Sequence, residues 1–355
     1  MKQKRYSFSF QLDVQSSYTV GWIAVLRCEL VVARLLLDEE HQALDQDESD
    51  DNNYVLGRMG THNVAIAFPG ARIYGTYGAG RAATNMLRTF LNIKFGLLVG
   101  VGGGVPKPPN AEDAYQDIRL GDVVVSQPNE GHGGVLEFAM GNLNNDENIK
   151  PMSHFDKPPA HILKAVKLLR SDHDFEVGQM VTCIEEVSER VSNMPVLKDY
   201  QFPGREHDQL FKANYPHGPG EEDCSSCDPA QTERRLDRDL HAPVVHYGLI
   251  ASGDAVMRSA FYRDWLRDAW DVCFFEMEAA GLMNSFPCLV IRGICDYSDH
   301  HKNTMWQPYA SLTAAAYAKD LLRIVRGKET EDISRSDDTS LPGFNMDTLG
   351  EKNRL

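Results

Sequence analysis

Three acidic residues stand where short apolar runs give out. Glu29 follows Tyr18-Thr-Val-Gly-Trp-Ile-Ala-Val25, Glu278 follows Phe274-Phe-Glu-Met277, and Asp296 follows Val290-Ile-Arg-Gly-Ile-Cys295. Open α/β sheets bind ligands beyond the carboxyl ends of their strands, where a carboxylate can grip a ligand or exchange a proton with it. Each acid also suits a plainer task, capping the next helix or favouring its N-terminal dipole. Taken singly, capping is the simpler account.

Two glycine clusters and one cysteine pair carry further signals. Gly78-Ala-Gly80-Arg-Ala-Ala83 fits the dinucleotide fingerprint GxGxxA, but the last strand-like residue before it is Phe68, so the turn does not follow a strand. Gly100-Val-Gly-Gly-Gly104 does follow one, yet Pro106, Pro108 and Pro109 forbid the helix that would hold a pyrophosphate. What remains is a glycine loop that either brings backbone close to a small ligand or simply turns the chain. Cys224-Ser-Ser-Cys227, with His217 seven residues upstream and His207 or His241 available, has half the spacing of a structural zinc knuckle. The alternative is an ordinary loop with reduced thiols, and spacing alone does not complete a set of four ligands.

The elements that must position these residues alternate along the chain. Strands are expected at 18–25, 54–56, 63–68, 95–99, 122–126, 244–251, 273–276 and 288–291, where β-branched and apolar residues cluster. Helices are expected at 29–40, 79–91, 160–170, 255–266 and 278–284. A last helix has Asn303 or Thr304 before it, Pro308 in its first turn, Leu312, Ala315, Leu322 and Val325 on one face, and Gly327 just past its end. This is an α/β pattern, with helices layered on a central sheet. The stretch 199–242 breaks the rhythm with Pro, Gly, Asp and the Cys pair and reads as an excursion from the sheet. Residues 1–16 are expected to be a flexible segment, 17–326 the folded domain, and 327–355, charged and aperiodic, a disordered tail.

Composition bounds what such a domain can do. The 355 residues are 42% hydrophobic and 25% charged, the make-up of a globular protein with ample material for a core. A formal net charge of -15 sets nucleic-acid binding aside, because most of the surface repels a polyanion. No apolar run reaches the ~18 to 20 residues that cross a bilayer, and the N-terminus lacks a signal-like apolar core. A soluble, cytoplasmic protein is expected, its seven cysteines reduced.

Six segments in order resemble the nucleoside phosphorylase superfamily, hydrolytic branch included. They are Tyr18-Thr-Val-Gly-Trp-Ile-Ala-Val-Leu-Arg-Cys-Glu29, Gly100-Val-Gly-Gly-Gly104, Gly121-Asp-Val-Val-Val-Ser126, Gly248-Leu-Ile-Ala-Ser-Gly-Asp254, Phe275-Glu-Met-Glu-Ala-Ala280 and Val290-Ile-Arg-Gly-Ile-Cys-Asp296. The likeness covers about 17–326 and is strongest to phosphorylase-type domains common in fungi, often N-terminal effector modules of receptor-like proteins. It implies a single α/β domain, a three-layer sandwich whose mixed central sheet is partly barrel-like. It also implies a homo-oligomer, since relatives build sites across subunit interfaces.

The resemblance implies roles as well. Breaking an N-ribosidic bond builds positive charge on the ribose and negative charge on the base, so the site needs an acid at the base, an anion under the sugar and an activated nucleophile. Asp296 matches the donor to purine N7, Glu278 the carboxylate that grips the ribose hydroxyls, Met277 the thioether beneath the sugar and Glu29 the activator of water. Glu276, Ser252, Gly102 and Val256 fall among the matched substrate-binding positions, Val256 where hydrolytic relatives place an aromatic against the base. Related phosphorylases carry an Arg two residues before the loop glycine and a hydroxyl after it; here stand Leu98 and Val101. Glu29 would also repel phosphate at close range, by several kcal/mol at an effective dielectric of ~20. Hydrolysis of a purine, adenine first, is therefore expected without any cofactor. A phosphate-dependent phosphorylase and a catalytically silent nucleoside-binding module are the rivals. Were the substrate a nucleotide, Arg72, Arg81, Lys107 and Arg119 would be the cations to meet its 5′ phosphate.

Overall fold

The computed structural model describes residues 14–70, 75–107, 113–138, 155–175, 178–217, 224, 226–238, 242–286 and 288–326. The expected tail 327–355 and most of the expected N-terminal segment lie outside them. Ten strands run in chain order as β1 (Tyr18–Ile23), β2 (Glu39–Glu40), β3 (Asn53–Met59), β4 (His62–Phe68), β5 (Phe95–Gly104), β6 (Val123–Ser126), β7 (Val135–Glu137), β8 (Val245–Ser252), β9 (Val272–Glu276) and β10 (Cys288–Asp296). The helices are α1 (Arg27–Leu35), α2 (Gly75–Thr89), α3 (Ala160–Phe175), α4 (Gln179–Ser192), α5 (Ala260–Trp270) and α6 (Gln307–Ile324). No helix among the described residues is long and apolar enough to cross a membrane.

The strands form one mixed sheet in the order β10-β6-β8-β9-β5-β1-β4-β3-β2. Because β10 also pairs with β5, the strands β5, β10, β6, β8 and β9 close into a small barrel, and β1 to β4 extend from it as an open wing. β5 is the shared strand: parallel to β1 and to β10, antiparallel to β9. Helices cover both faces. On one side the alanine-rich α6 lies on β10 and β5, flanked by α1, α3 and α4, and on the other α2 buries Met86 in a core cluster that includes Phe286 and Ile23. Closure without a void requires close approach, and Gly293 of β10 lies so near Ala310 that a Cβ would strike its carbonyl.

Local chemistry explains where the expected boundaries moved. The helix expected at 29–40 ends at Leu35, and the chain re-enters the sheet as Glu39 and Glu40 pair with Arg58 and Gly57. α5 begins at Ala260 rather than 255 because the Ser259 hydroxyl caps it, accepting from Tyr262 N–H. The segment 278–284 makes only a 3-10 turn, Ala279–Gly281. Gly78–Ala83 lies inside α2, so the dinucleotide-like glycines form no phosphate-binding turn. The supposed glycine loop at 100–104 is strand: β5 continues through it, paired to β10 from Gly96 to Gly103. α4 was not anticipated, although Met180, Cys183, Ile184, Val187 and Val191 have the helical spacing and are all buried.

Candidate active site

The glycines of β5 make room for what lies across them. A Cβ on Gly100 would collide with the Glu29 carboxylate and the Arg292 guanidinium, and one on Gly103 with the side chains of Ser298 and Asp296. Glu29, in the first turn of α1, is 3% exposed. Its Oε2 accepts from Val25 N–H at 2.7 Å and Leu26 N–H at 2.9 Å, and its Oε1 accepts from Val101 N–H at 2.9 Å. The residue therefore does cap its helix, as the plainer account held, while its carboxylate lines a cleft at the barrel mouth. Burial pushes its pKa up against the opposing pull of Arg292 and the three N–H donors, so it holds a proton more firmly than an ordinary carboxylate.

Arg292, on β10, is the charge the sequence did not flag. It is fully buried, and its guanidinium meets Glu276 Oε2, Glu278 Oε2 at 3.0 Å and, at 4.0 Å, Glu29 Oε1. Burial pulls its pKa down, but the three carboxylates more than offset this and hold it above the ordinary guanidinium value. Glu276 organises the turn after β9: its carboxylate accepts from the N–H groups of Glu278 and Ala279, each at 3.1 Å. Glu278 is thereby presented to the cleft beside Met277. Its pKa is pushed up to about 7 by burial, which Arg292 opposes and the Glu276 and Glu29 charges reinforce. Ser252 is not on the cleft wall: it is wholly buried, and its Oγ accepts from Ala280 N–H at 2.9 Å, tying β8 to the same turn. Ser252 thus holds the turn from behind the cleft, while Glu276 both braces the turn and lines the cleft.

Asp296 ends β10 and is buried just behind the wall formed by Cys295, Ser298 and Lys302. Its Oδ1 accepts from Ser298 N–H at 2.9 Å, and Lys302 Nζ donates to its Oδ2. Ser298 takes a left-handed backbone (φ 54°), unusual outside glycine, and its buried hydroxyl has no partner among the described residues. The cleft encloses about 320 Å³, with Val25, Leu26, Val101, Met257 and Phe275 as apolar walls and Gly102 in its floor. Val256 stands at its edge, 40% exposed. A small, largely apolar cavity with a few convergent polar groups is the form of a small-molecule site.

The suggested 5′-phosphate cations are not gathered there. Arg81 projects from α2 into an ion pair with Asp51, and Arg119 bonds Asp117 and the Leu236 carbonyl. Lys107 lines a separate hollow, and Arg72 lies outside the described residues. Cys224, Cys227 and His217, by contrast, do come together, and the residue that joins them is His301. His207 is half exposed beside Glu206 instead, and His241 lies outside the described residues.

Known proteins resemble this arrangement at two levels. The fold matches the 5′-methylthioadenosine/S-adenosylhomocysteine nucleosidase of Helicobacter pylori with a TM-score of 0.52 at 14% identity, over 86% of this chain and 98% of that one. The same enzyme of Neisseria meningitidis, in complex with methylthio-immucillin-A, matches at 0.51 and 14% identity over 86% and 98%. The chain thus shares the fold of these nucleosidases. In sequence, the chain is 41% identical over 312 residues to a nucleotide-binding leucine-rich repeat (NLR)-like protein of Hyaloscypha variabilis, covering 87% of this chain but 29% of that protein. A shorter stretch, 86 residues or 22% of this chain, is 33% identical to the ATP nucleosidase Cap17 of Escherichia coli, covering 17% of it. The chain therefore spans less than a third of either curated relative. No protein-family model matches it.

Proposed function

We propose that the chain is an N-glycosyl hydrolase that cleaves a purine nucleoside or nucleotide, adenine preferred, to free base and ribose or ribose phosphate. The observation that carries this reading is the convergence of Glu29 and Glu278 on one cleft, with Asp296 buried directly behind its wall, beside cations that are already engaged. In the proposed step Glu278 holds the ribose hydroxyls, Met277 lies beneath the sugar, and Glu29 orients water and takes its proton. The water oxygen bonds to C1′ as the C1′–N9 bond breaks; its electron pair passes into the purine, and N7 receives a proton through Asp296, with Lys302 beside it. A firmly basic Glu29 suits the activation of water.

Water rather than phosphate is the proposed nucleophile. The two cations nearest the three acids, Arg292 and Lys302, are bound to carboxylates, while Leu98 is buried in the core and Val101 offers a methyl surface. The adenine preference draws on the likeness to an ATP nucleosidase, and assembly as a homo-oligomer, checked by light scattering, belongs to the same proposal. The test is chromatographic: adenosine, inosine, guanosine, methylthioadenosine, AMP and ATP, each with and without phosphate, are assayed for released base. Release independent of phosphate is expected, and Asp296→Asn should lower kcat by about 10² to 10⁴. Ribose 1-phosphate as product would instead identify a phosphorylase, and binding without turnover a silent module.

A further inference from the structure

The cysteine pair and two histidines form a second site, outside the cleft. His217 Nε2 lies 3.3 Å from Cys224 Sγ, and His301 Nδ1 lies 3.6 Å from Cys224 Sγ and 3.7 Å from Cys227 Sγ. One donor atom from each of the four falls within 4.8 Å of all the others. In a tetrahedral zinc site, with Zn–S of about 2.3 Å and Zn–N of about 2.0 Å, the sulfur-to-nitrogen edges are about 3.5 Å. The three distances are those edges. Two thiols and two imidazoles form a donor set that suits zinc.

The surroundings fix the ligands as a metal requires. His301 Nε2–H donates to the Tyr215 carbonyl at 2.7 Å, which assigns the other ring nitrogen, the one facing the sulfurs, as the lone-pair donor. The ring is stacked on Phe211 at 4.0 Å and on Tyr215 at 5.7 Å, with the edge of His217 against it. Three of the ligands come from the excursion at 199–242, and the fourth from the loop that leaves Asp296. The same loop is held a second time by the excursion, where Asp208 and Arg235 bond Tyr297 Oη.

We propose that these four residues bind one zinc ion, a Cys2His2 staple that fastens the excursion to the loop carrying Asp296 and Lys302. Its place is structural: it closes a loop of irregular chain that has little sheet or helix of its own, and it stands outside the cleft. The full 355-residue protein, purified under reducing conditions without chelator, is expected to carry one zinc per chain by elemental analysis. Exchange for Co²⁺ should give the intense visible bands of a tetrahedral site and a thiolate charge-transfer band.

Variants separate metal loss from misfolding. His301→Ala and Cys227→Ser should lose zinc, whereas His301→Cys, which supplies a third thiolate, should retain it and change the Co²⁺ spectrum. Cys183→Ser, removing a buried thiol elsewhere, should keep the full complement. The proposal falls if the native protein neither contains zinc nor takes up Zn²⁺ or Co²⁺. It falls equally if Cys227→Ser binds metal as wild type does.

Discussion

At the residue scale, the cleft is unequal in its two halves. On the proposed reading, the sugar side is dense with fixed groups, Glu29, Glu278 and Arg292, whereas the base side, apart from Asp296 and Lys302, offers Val256 at the edge, 40% exposed. A ring stacked on a nucleobase contributes about 1 to 3 kcal/mol, which a valine cannot supply. Val256→Phe should therefore lower KM for adenosine roughly 5-fold or more with little change in kcat, measured by initial rates over a concentration series. An unchanged KM would mean that the base does not lie against position 256. The acids themselves were legible as residues at strand ends, and Glu29 and Glu278 do line one cleft. Arg292 was not, because a single arginine inside an apolar strand carries no local signal; only its three partners, distant in sequence, reveal that it is buried and engaged. His301 is the same case, since 77 residues separate it from Cys224.

At the scale of elements, β5 is the strand on which the site depends, and its glycines act by what they leave out. Along Gly100 to Gly104 the missing side chains admit Glu29 and Arg292 at one position, and Ser298 and Asp296 at another. Gly100→Ala should then cut kcat/KM by at least about 10²-fold, since displacement by an ångström suffices for such a loss, while the far-UV spectrum stays that of a folded α/β protein. Wild-type turnover would show that the acids tolerate being moved. Alternation of strands and helices, and the place of α6 with its early proline, could be read from the chain because they rest on local periodicity; the helix begins at Gln307, after Trp306 rather than at Asn303 or Thr304, and Gly327 lies outside the described residues. The course of β5 through its glycines could not. Glycine weakens a strand locally, and it is the ladders to β10 and, at Gly103 and Gly104, to β9 that keep the segment extended. Barrel closure is likewise a matter of one non-local pairing, β5 with β10, that no single segment announces.

At the scale of the molecule, the buried acids tie stability to pH. Glu278 titrates near 7 in the fold against about 4.5 ordinarily, so the folded state binds more protons than the unfolded state between those values. Its contribution is fully present below about pH 4.5 and is lost as pH rises through 7, amounting to up to about 3 kcal/mol, and Glu29 acts in the same direction. Denaturant midpoints should accordingly fall between pH 5 and 8, and Glu278→Gln should flatten that part of the curve; identical slopes in the two proteins would contradict the assignment. As Glu278 ionises, the fold comes to hold like charge among the three acidic side chains, Glu29, Glu276 and Glu278, that crowd about the single guanidinium of Arg292. An oxocarbenium ion arriving among them would be the missing counter-ion, and one that exists only while the glycosidic bond is breaking. Repulsion borne by every folded molecule would then be released at the moment of reaction, so the same imbalance that weakens the fold at alkaline pH would lower the barrier to cleavage.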